Sequence, residues 1–257
     1  MTSFLMRFKK GNMQKSMIEG NTLKLILNFS IPLLLGNLFQ QFYNVVDAAI
    51  VGQTLGSKAL AAVGASSSVQ FLILGFCMGI CQGFAIMVSQ SYGAKRLDEM
   101  QTYIYAGAVW TAITAFVVSI LVVVFCADIL HILQVNDEIF NDAYAYLVVI
   151  FAGIPFTLLY NYLSAILRAI GDSKTPFFFL AFSAVLNIGL DFFCILVLKW
   201  GCAGAAIATI FAQAVSGILC LLLIAFKVNV LHVPKSSRYK DKKHSVKLLA
   251  MGVPMGL

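Results

Sequence analysis

The chain has 257 residues, 60% hydrophobic and 11% charged, with a mean hydropathy of +0.90. Soluble domains carry about 25% charged residues, so this composition excludes an ordinary soluble fold, and the length becomes a count of membrane helices of about 20 residues each. The net charge of +7 does not point to nucleic acid, because the basic residues lie between apolar runs and not on one basic face.

Residues 1–24 form a polar segment carrying Arg7, Lys9, Lys10, Lys15 and Lys24. It lacks a long apolar core and a small-residue cleavage site, so no cleaved signal peptide is expected. Apolar runs then predict helices near 25–54, 59–91, 101–127, 140–165, 176–198 and 201–226. The expectation is an all-α polytopic membrane protein with a six-helix transmembrane lobe over 25–226, because an open strand leaves its backbone unsatisfied in lipid. The second run is too long for an upright span and should tilt or project past the membrane.

In the first span, Asn37, Gln40, Asn44 and Asp47 step by three, four and three, which places them on one helix face. In lipid that face must turn toward protein or a water-filled cavity. The three amides are candidates for a substrate cavity, or for hydrogen bonds that only hold helices together. Asp47 differs in kind, because a carboxylate inside a bilayer costs about 2.5–3.5 kcal/mol and marks an ion or substrate path. Pro32, about one turn earlier, should bend the helix. The second span contains Gly75, Gly79 and Gly83, two overlapping GxxxG patterns that predict close helix packing.

The segment 171–176 joins the fourth and fifth spans, with Thr175 as expected N-cap, Pro176 as first helical residue, and Asp172 and Lys174 as a solvated pair. In the fifth span Ser183, Asn187 and Asp191 step by four along one face. Asp47 stands eight residues before Leu55 and Asp191 eight before Lys199, so each acid lies roughly 12 Å below the same membrane surface. Two carboxylates brought together cannot both stay ionised cheaply, and such a pair can hold a proton or a cation. Asn187 adds an amide oxygen of the kind hard cations prefer.

Sixteen of the 18 Lys and Arg fall in the N-terminal segment, the second and fourth loops (Lys95, Arg96, Arg168, Lys174) and the stretch after the sixth span. Only Lys58 and Lys199 fall in the alternate loops. This asymmetry predicts that both ends of the six-helix unit, the N-terminus included, are cytoplasmic; the expected location is multi-pass in the plasma membrane. Residues 227–243 form a basic cytoplasmic linker. The stretch VKLLAMGVPMG at 246–256 then echoes KLILNFSIPLLLG at 24–36, so 244–257 is expected to be the truncated start of a second lobe.

Six cysteines sit in apolar context without a CxxC, so they are expected as apolar filler. His131, His232 and His244 lie at span edges or in loops. The absence of HExxH, GxSxG and GxxxxGK[ST] motifs argues against an enzyme and a cofactor.

Three stretches resemble the multidrug and toxic compound extrusion (MATE) family: residues 51–96, ending in VSQSYGAKR; LRAIGDSKTPFFFLAFSAVLNIGLDFF at 167–193; and WGCAGAAIATIFAQ at 200–213. The resemblance implies two six-helix lobes around a central cavity. It implies export of organic, often cationic, small molecules in exchange for protons or sodium by alternating access. It further implies cation-coupling roles for Asp47, Asn187 and Asp191, with Thr209 and Tyr146 joining them and Tyr144 close by. A sodium ion would take Asp47, Asn187, Asp191 and Thr209. The coupling ion, the bilayer, the solute and a missing carboxy-terminal lobe are then the partners. Two alternatives remain at this point: a lipid-linked sugar flippase, which needs a cavity rich in Arg and Lys, and a non-transporting membrane scaffold, which needs no buried acid pair.

Overall fold

The computed structural model describes residues 22–231 and 242–257. The expected N-terminal segment lies almost wholly outside the described residues, and so does most of the basic linker, including His232. Every regular element among the described residues is a helix: α1 (Thr22–Leu55), α2 (Ser57–Gly93), α3 (Leu97–Val124), α4 (Cys126–Ile132), α5 (Asp137–Ala152), α6 (Ile154–Ala169), α7 (Lys174–Phe192), α8 (Gly201–Lys227) and α9 (Lys242–Gly256). Five are long and apolar enough to cross a membrane, and α5 with α6 forms a sixth, bent crossing. Large side chains such as Phe42, Phe71, Phe116, Val185 and Phe226 stand exposed on the outer faces, where lipid takes the place of a protein core.

The core gathers around α2, α5, α6 and α8, with Phe84, Leu147, Ile150, Phe151, Ile154, Leu158 and Ile166 fully buried. Helix α2 runs 37 residues, about 55 Å at 1.5 Å per residue, well beyond the roughly 30 Å of hydrocarbon. It is the central strut, packed against α1, α3, α5, α6 and α9. Helix α1 continues through Pro32 and leans mainly on α7 and α2, leaving most of its own surface uncovered. All six cysteines are buried and free.

Local chemistry sets the helix starts. Asn136 caps α5 by accepting the Glu138 N–H at 3.0 Å, and Asp137 and Glu138 place negative charge at the positive end of the helix dipole. The exposed Lys58–Glu138 ion pair, at 2.8 Å, joins the start of α2 to the start of α5, so these two connections share one end of the bundle. The start of α7 departs from expectation. Asp172 is not a solvated partner of Lys174. Its Oδ1 accepts the N–H groups of Lys174 and Thr175, and its Oδ2 accepts the Thr175 hydroxyl at 2.6 Å. The helix therefore begins at Lys174, with Thr175 and Pro176 already inside its first turn.

Two breaks were not legible as such. The fourth span bends by 48° between α5 and α6. Pro155, in the first turn of α6, contributes no N–H to a continuous ladder, and a side chain on Gly153 would collide with Ile210 of α8. The second half of this bent span reaches Ala169, so Arg168 is not a loop residue; it occupies the last turn of α6. The fifth span changes to a π-helical stretch at Phe193–Val197, immediately after Asp191 and Phe192.

The glycine patterns resolve into one crossing. A Cβ on Gly79 would strike the Met255 carbonyl, and one on Gly83 would lie 2.6 Å from the Gly252 Cα. Gly252 and Gly256 are themselves four apart, so two small-residue faces meet and the backbones of α2 and α9 touch. Gly75 takes no part, since nothing lies within 4 Å of its would-be Cβ. Leu248 of α9 is fully buried, and His244 packs edge-on against Tyr103 of α3 with ring centroids 5.2 Å apart.

Candidate functional site

Helices α1, α5, α7 and α8 converge on a sealed polar cluster. Asp47 on α1 is 8% exposed, and Asn187 and Asp191 on α7 are 0% exposed. The four-residue spacing of Ser183, Asn187 and Asp191 puts all three on the buried face of α7. The Asp47 and Asp191 carboxyls are within hydrogen-bonding reach of each other when one carries a proton. Thr209 of α8 joins the two sides: its Oγ1 accepts the Tyr43 hydroxyl at 3.2 Å and the Asn187 amide N–H at 3.3 Å. Tyr146 of α5 is 4% exposed and lies within electrostatic reach of both carboxyls. Tyr144 points elsewhere, stacked on Phe140 and exposed.

The hydrogen-bond inventory of this cluster is one-sided. Asp47 Oδ1, Asn187 Oδ1 and both Asp191 oxygens are buried without a donor. Each buried acceptor left unsatisfied costs about 1–3 kcal/mol, more when charged. Asn187 gives one of its two amide N–H groups to Thr209, and its oxygen is buried without a donor. Four buried oxygens without a donor, on three neighbouring side chains, fit a proton or a hard cation. Among the described residues no group of three or more His, Cys, Asp and Glu could hold a metal ion, so any metal here must rely on this mixed amide, hydroxyl and carboxylate set.

Tyr43 escaped the sequence reading. Around a helix it lies about 40° from Asp47, whereas Asn44 lies about 60° away on the other side. The buried face follows Tyr43. Asn44 is exposed, and its amide N–H donates to Gln41 at 3.2 Å; unlike Asn37 and Gln40 it does not line the cavity among the described residues. The available signal was the four-residue spacing from Tyr43 to Asp47.

Asn37 and Gln40 line a cavity of about 470 Å³ between α1, α2, α6 and α7, together with Gln82, Asn161 and Arg168. A crevice of about 10 Å³ continues from Gln40 to Tyr43, Ser183 and Gln213, close to the threshold for one water. Tyr43 therefore borders the crevice on one side and bonds to Thr209, in the acid cluster, on the other. The cavity and the cluster are separate spaces joined by one polar row.

The MatE family matches residues 32–193. The chain is 34% identical over 242 residues to the Bacillus subtilis protein named "Probable multidrug resistance protein YpnP", covering 93% of this chain and 53% of that protein. Over 232 residues it is 23% identical to "Multidrug export protein MepA" of Staphylococcus aureus, covering 90% of this chain and 51% of that one. A solved structure described as the outward-facing conformation of a multidrug resistance MATE family transporter superposes with a TM-score of 0.87 at 23% identity. That match covers 96% of this chain and 54% of the other and shows a shared fold. The chain spans about half the length of the relatives it matches. Both the matched span and the identity to YpnP carry the same conclusion: this chain belongs to the MatE family.

Proposed function

We propose that the chain is the amino-terminal lobe of a cation-coupled antiporter that exports organic compounds across the plasma membrane. Its N-terminus is cytoplasmic, and a second six-helix lobe closes the cavity. The observation that carries this reading is the group of four buried acceptor oxygens on Asp47, Asn187 and Asp191 that have no donor. A structural hydrogen bond between helices has no need of two acids facing each other; a site that must take up and release a cation does.

A proton on the Asp47–Asp191 pair removes the repulsion between the carboxyls and supplies a donor between them. Sodium would instead draw oxygens from Asp47, Asn187, Asp191 and Thr209. Either ion drives transport only by favouring one arrangement of the lobes over the other, with the solute in the cavity favouring the opposite one. Helix α1 is the element most cheaply moved, because most of its surface is uncovered and the Tyr43–Thr209 bond is its polar tie to α8. Tyr146 shields the pair from the α5 side. The cavity wall carries one basic side chain, Arg168, short of the Arg- and Lys-rich wall a lipid-linked sugar flippase needs.

The test is dye efflux from liposomes holding the native gene product, under an imposed proton gradient and then a sodium gradient. The expected result is gradient-dependent export that disappears in Asp47→Asn and in Asp191→Asn, each checked for normal insertion. Wild-type export by both variants would leave the acids as structural glue.

A further inference from the structure

Arg168 is the one charged side chain on the cavity wall. Arg168 belongs to neither of the ion pairs Lys58–Glu138 and Arg96–Glu99. The nearest acid along the chain, Asp172, has both oxygens committed to the start of α7. Its electrostatic neighbours are Tyr160, Cys81 and Cys220, none of them a carboxylate. Tyr160 is itself fixed, donating its hydroxyl to the Pro176 carbonyl at 2.9 Å. The rest of the wall contributes amides and hydroxyls, among them Asn37, Gln40, Gln82 and Ser173, and no carboxylate.

A half-buried guanidinium thus faces a cavity of about 470 Å³ with its N–H fork unmatched. That volume lies in the range of small-molecule sites, about 300–1,000 Å³. A guanidinium pairs best with a planar or tetrahedral oxyanion, which takes two of its N–H groups at once. The acid pair cannot serve that purpose. Asp47 lies seven residues beyond Gln40, about 10 Å along α1, and is sealed from the cavity.

We propose that Arg168 is an oxyanion-recognition residue of the cavity, holding a carboxylate or phosphate group, so that the cavity takes amphoteric or anionic organic compounds as well as cations. This rests on reading the cavity as the solute path. The same oxyanion chemistry is offered by an exported solute and by the phosphate of a lipid headgroup. A bare organic cation is disfavoured at this end by like charge, which makes Arg168 a selectivity element as well as an anchor.

The experiment uses two dyes that differ in one group: rhodamine 123, a cationic methyl ester, and rhodamine 110, its free carboxylate. Binding of each to the native gene product in phosphatidylcholine nanodiscs is read by fluorescence polarisation, and the quantity of interest is the ratio of the two affinities. The wild type should prefer rhodamine 110. Arg168→Gln should lower that preference about tenfold, the loss expected for one charge-assisted hydrogen-bonded contact. Arg168→Lys should fall between them, since it keeps the charge and loses the fork. It also supplies the reading if the Gln variant does not fold.

An unchanged ratio in both variants overturns the proposal, because a merely structural Arg168 would affect both dyes alike. A wild type with no preference for the carboxylate overturns it too. Repeating the titration with phosphatidylglycerol separates the sources of the anion. Loss of the rhodamine 110 preference in the wild type, with no change in Arg168→Gln, upholds the site and assigns it to a headgroup. A preference that persists assigns it to the solute. Gradient-driven export in the same preparation separates this inference from the coupling mechanism: export without an Arg168-dependent ratio removes only the oxyanion site, while an Arg168-dependent ratio without coupled export removes only the coupling.

Discussion

The acid cluster and the cavity share two helices, α1 and α7, yet they are opposites. The cluster is sealed, rich in acceptors and deficient in donors. The cavity is open, with a mostly apolar wall that carries neutral amides, hydroxyls and one guanidinium. The step from one to the other along α1 is only from Gln40 to Tyr43. On the proposed reading, burial, and not residue polarity alone, separates the place that would bind an ion from the place that would admit a solute. A carboxylate in the open cavity would be solvated and would respond weakly to its partner. In the sealed cluster, where the low dielectric strengthens every charge interaction, the same carboxylate answers strongly to a single proton or cation.

The comparison breaks most visibly at the acids. Asp47→Asn and Asp191→Asn should each reduce gradient-driven efflux to background, and the double variant should be little worse than either single, because members of one unit do not contribute additively. Additive partial losses would mean two independent sites. Asn187→Ala comes next: it removes one oxygen and leaves both acids, so coupled export should weaken without vanishing. Thr209→Ala should be milder again, since it breaks the Tyr43 tie but removes no carboxyl or amide ligand. A Thr209 variant worse than Asn187→Ala would shift the weight of the site to α8.

A third change lies outside both regions. Gly83→Leu must push α9 off α2, because the Gly252 backbone occupies the space of the new side chain. Overpacking of this kind costs about 1–3 kcal/mol, seen as a lower temperature of unfolding in detergent. Gly75→Leu, facing open space, should be close to neutral, and equal losses from the two would contradict the crossing. The smallest effects belong to the amides of α1. Gln40→Ala should raise the KM for solute export, whereas Asn44→Ala should not, since Asn44 is exposed and bonded to Gln41. Equal shifts would place Asn44 back on the cavity face.

The positions of Asp47 and Asp191 were legible because an acid within an apolar run is costly, so its mere presence is informative. Their shared depth followed from counting residues. The all-helical fold was legible for the same reason that lipid forbids open strands. Tyr43 was not legible, because a lone aromatic in a membrane helix looks like packing until a partner from another helix is known. Its partner Thr209 is 166 positions away. Arg168 was misplaced because charge was used to mark the ends of spans, and a side chain in the last helical turn obeys that rule while still reaching the cavity. Asn44 falls outside the lining that Asn37 and Gln40 share because steps of three and four define a face only to within about 60°. The bend at Gly153 needed knowledge of Ile210, which no local pattern supplies.

The central claim is that the Asp47–Asp191 pair carries the ion exchanged for solute. Its most direct test is ion release on solute binding. Purified native gene product is loaded in weakly buffered solution at constant sodium, solute is added, and released protons are read with a pH dye while bound radioactive sodium is counted in parallel. The account predicts release of one of the two ions in proportion to solute bound by the wild type, and none from Asp47→Asn, Asp191→Asn or the double variant. Undiminished release from the double variant would contradict it.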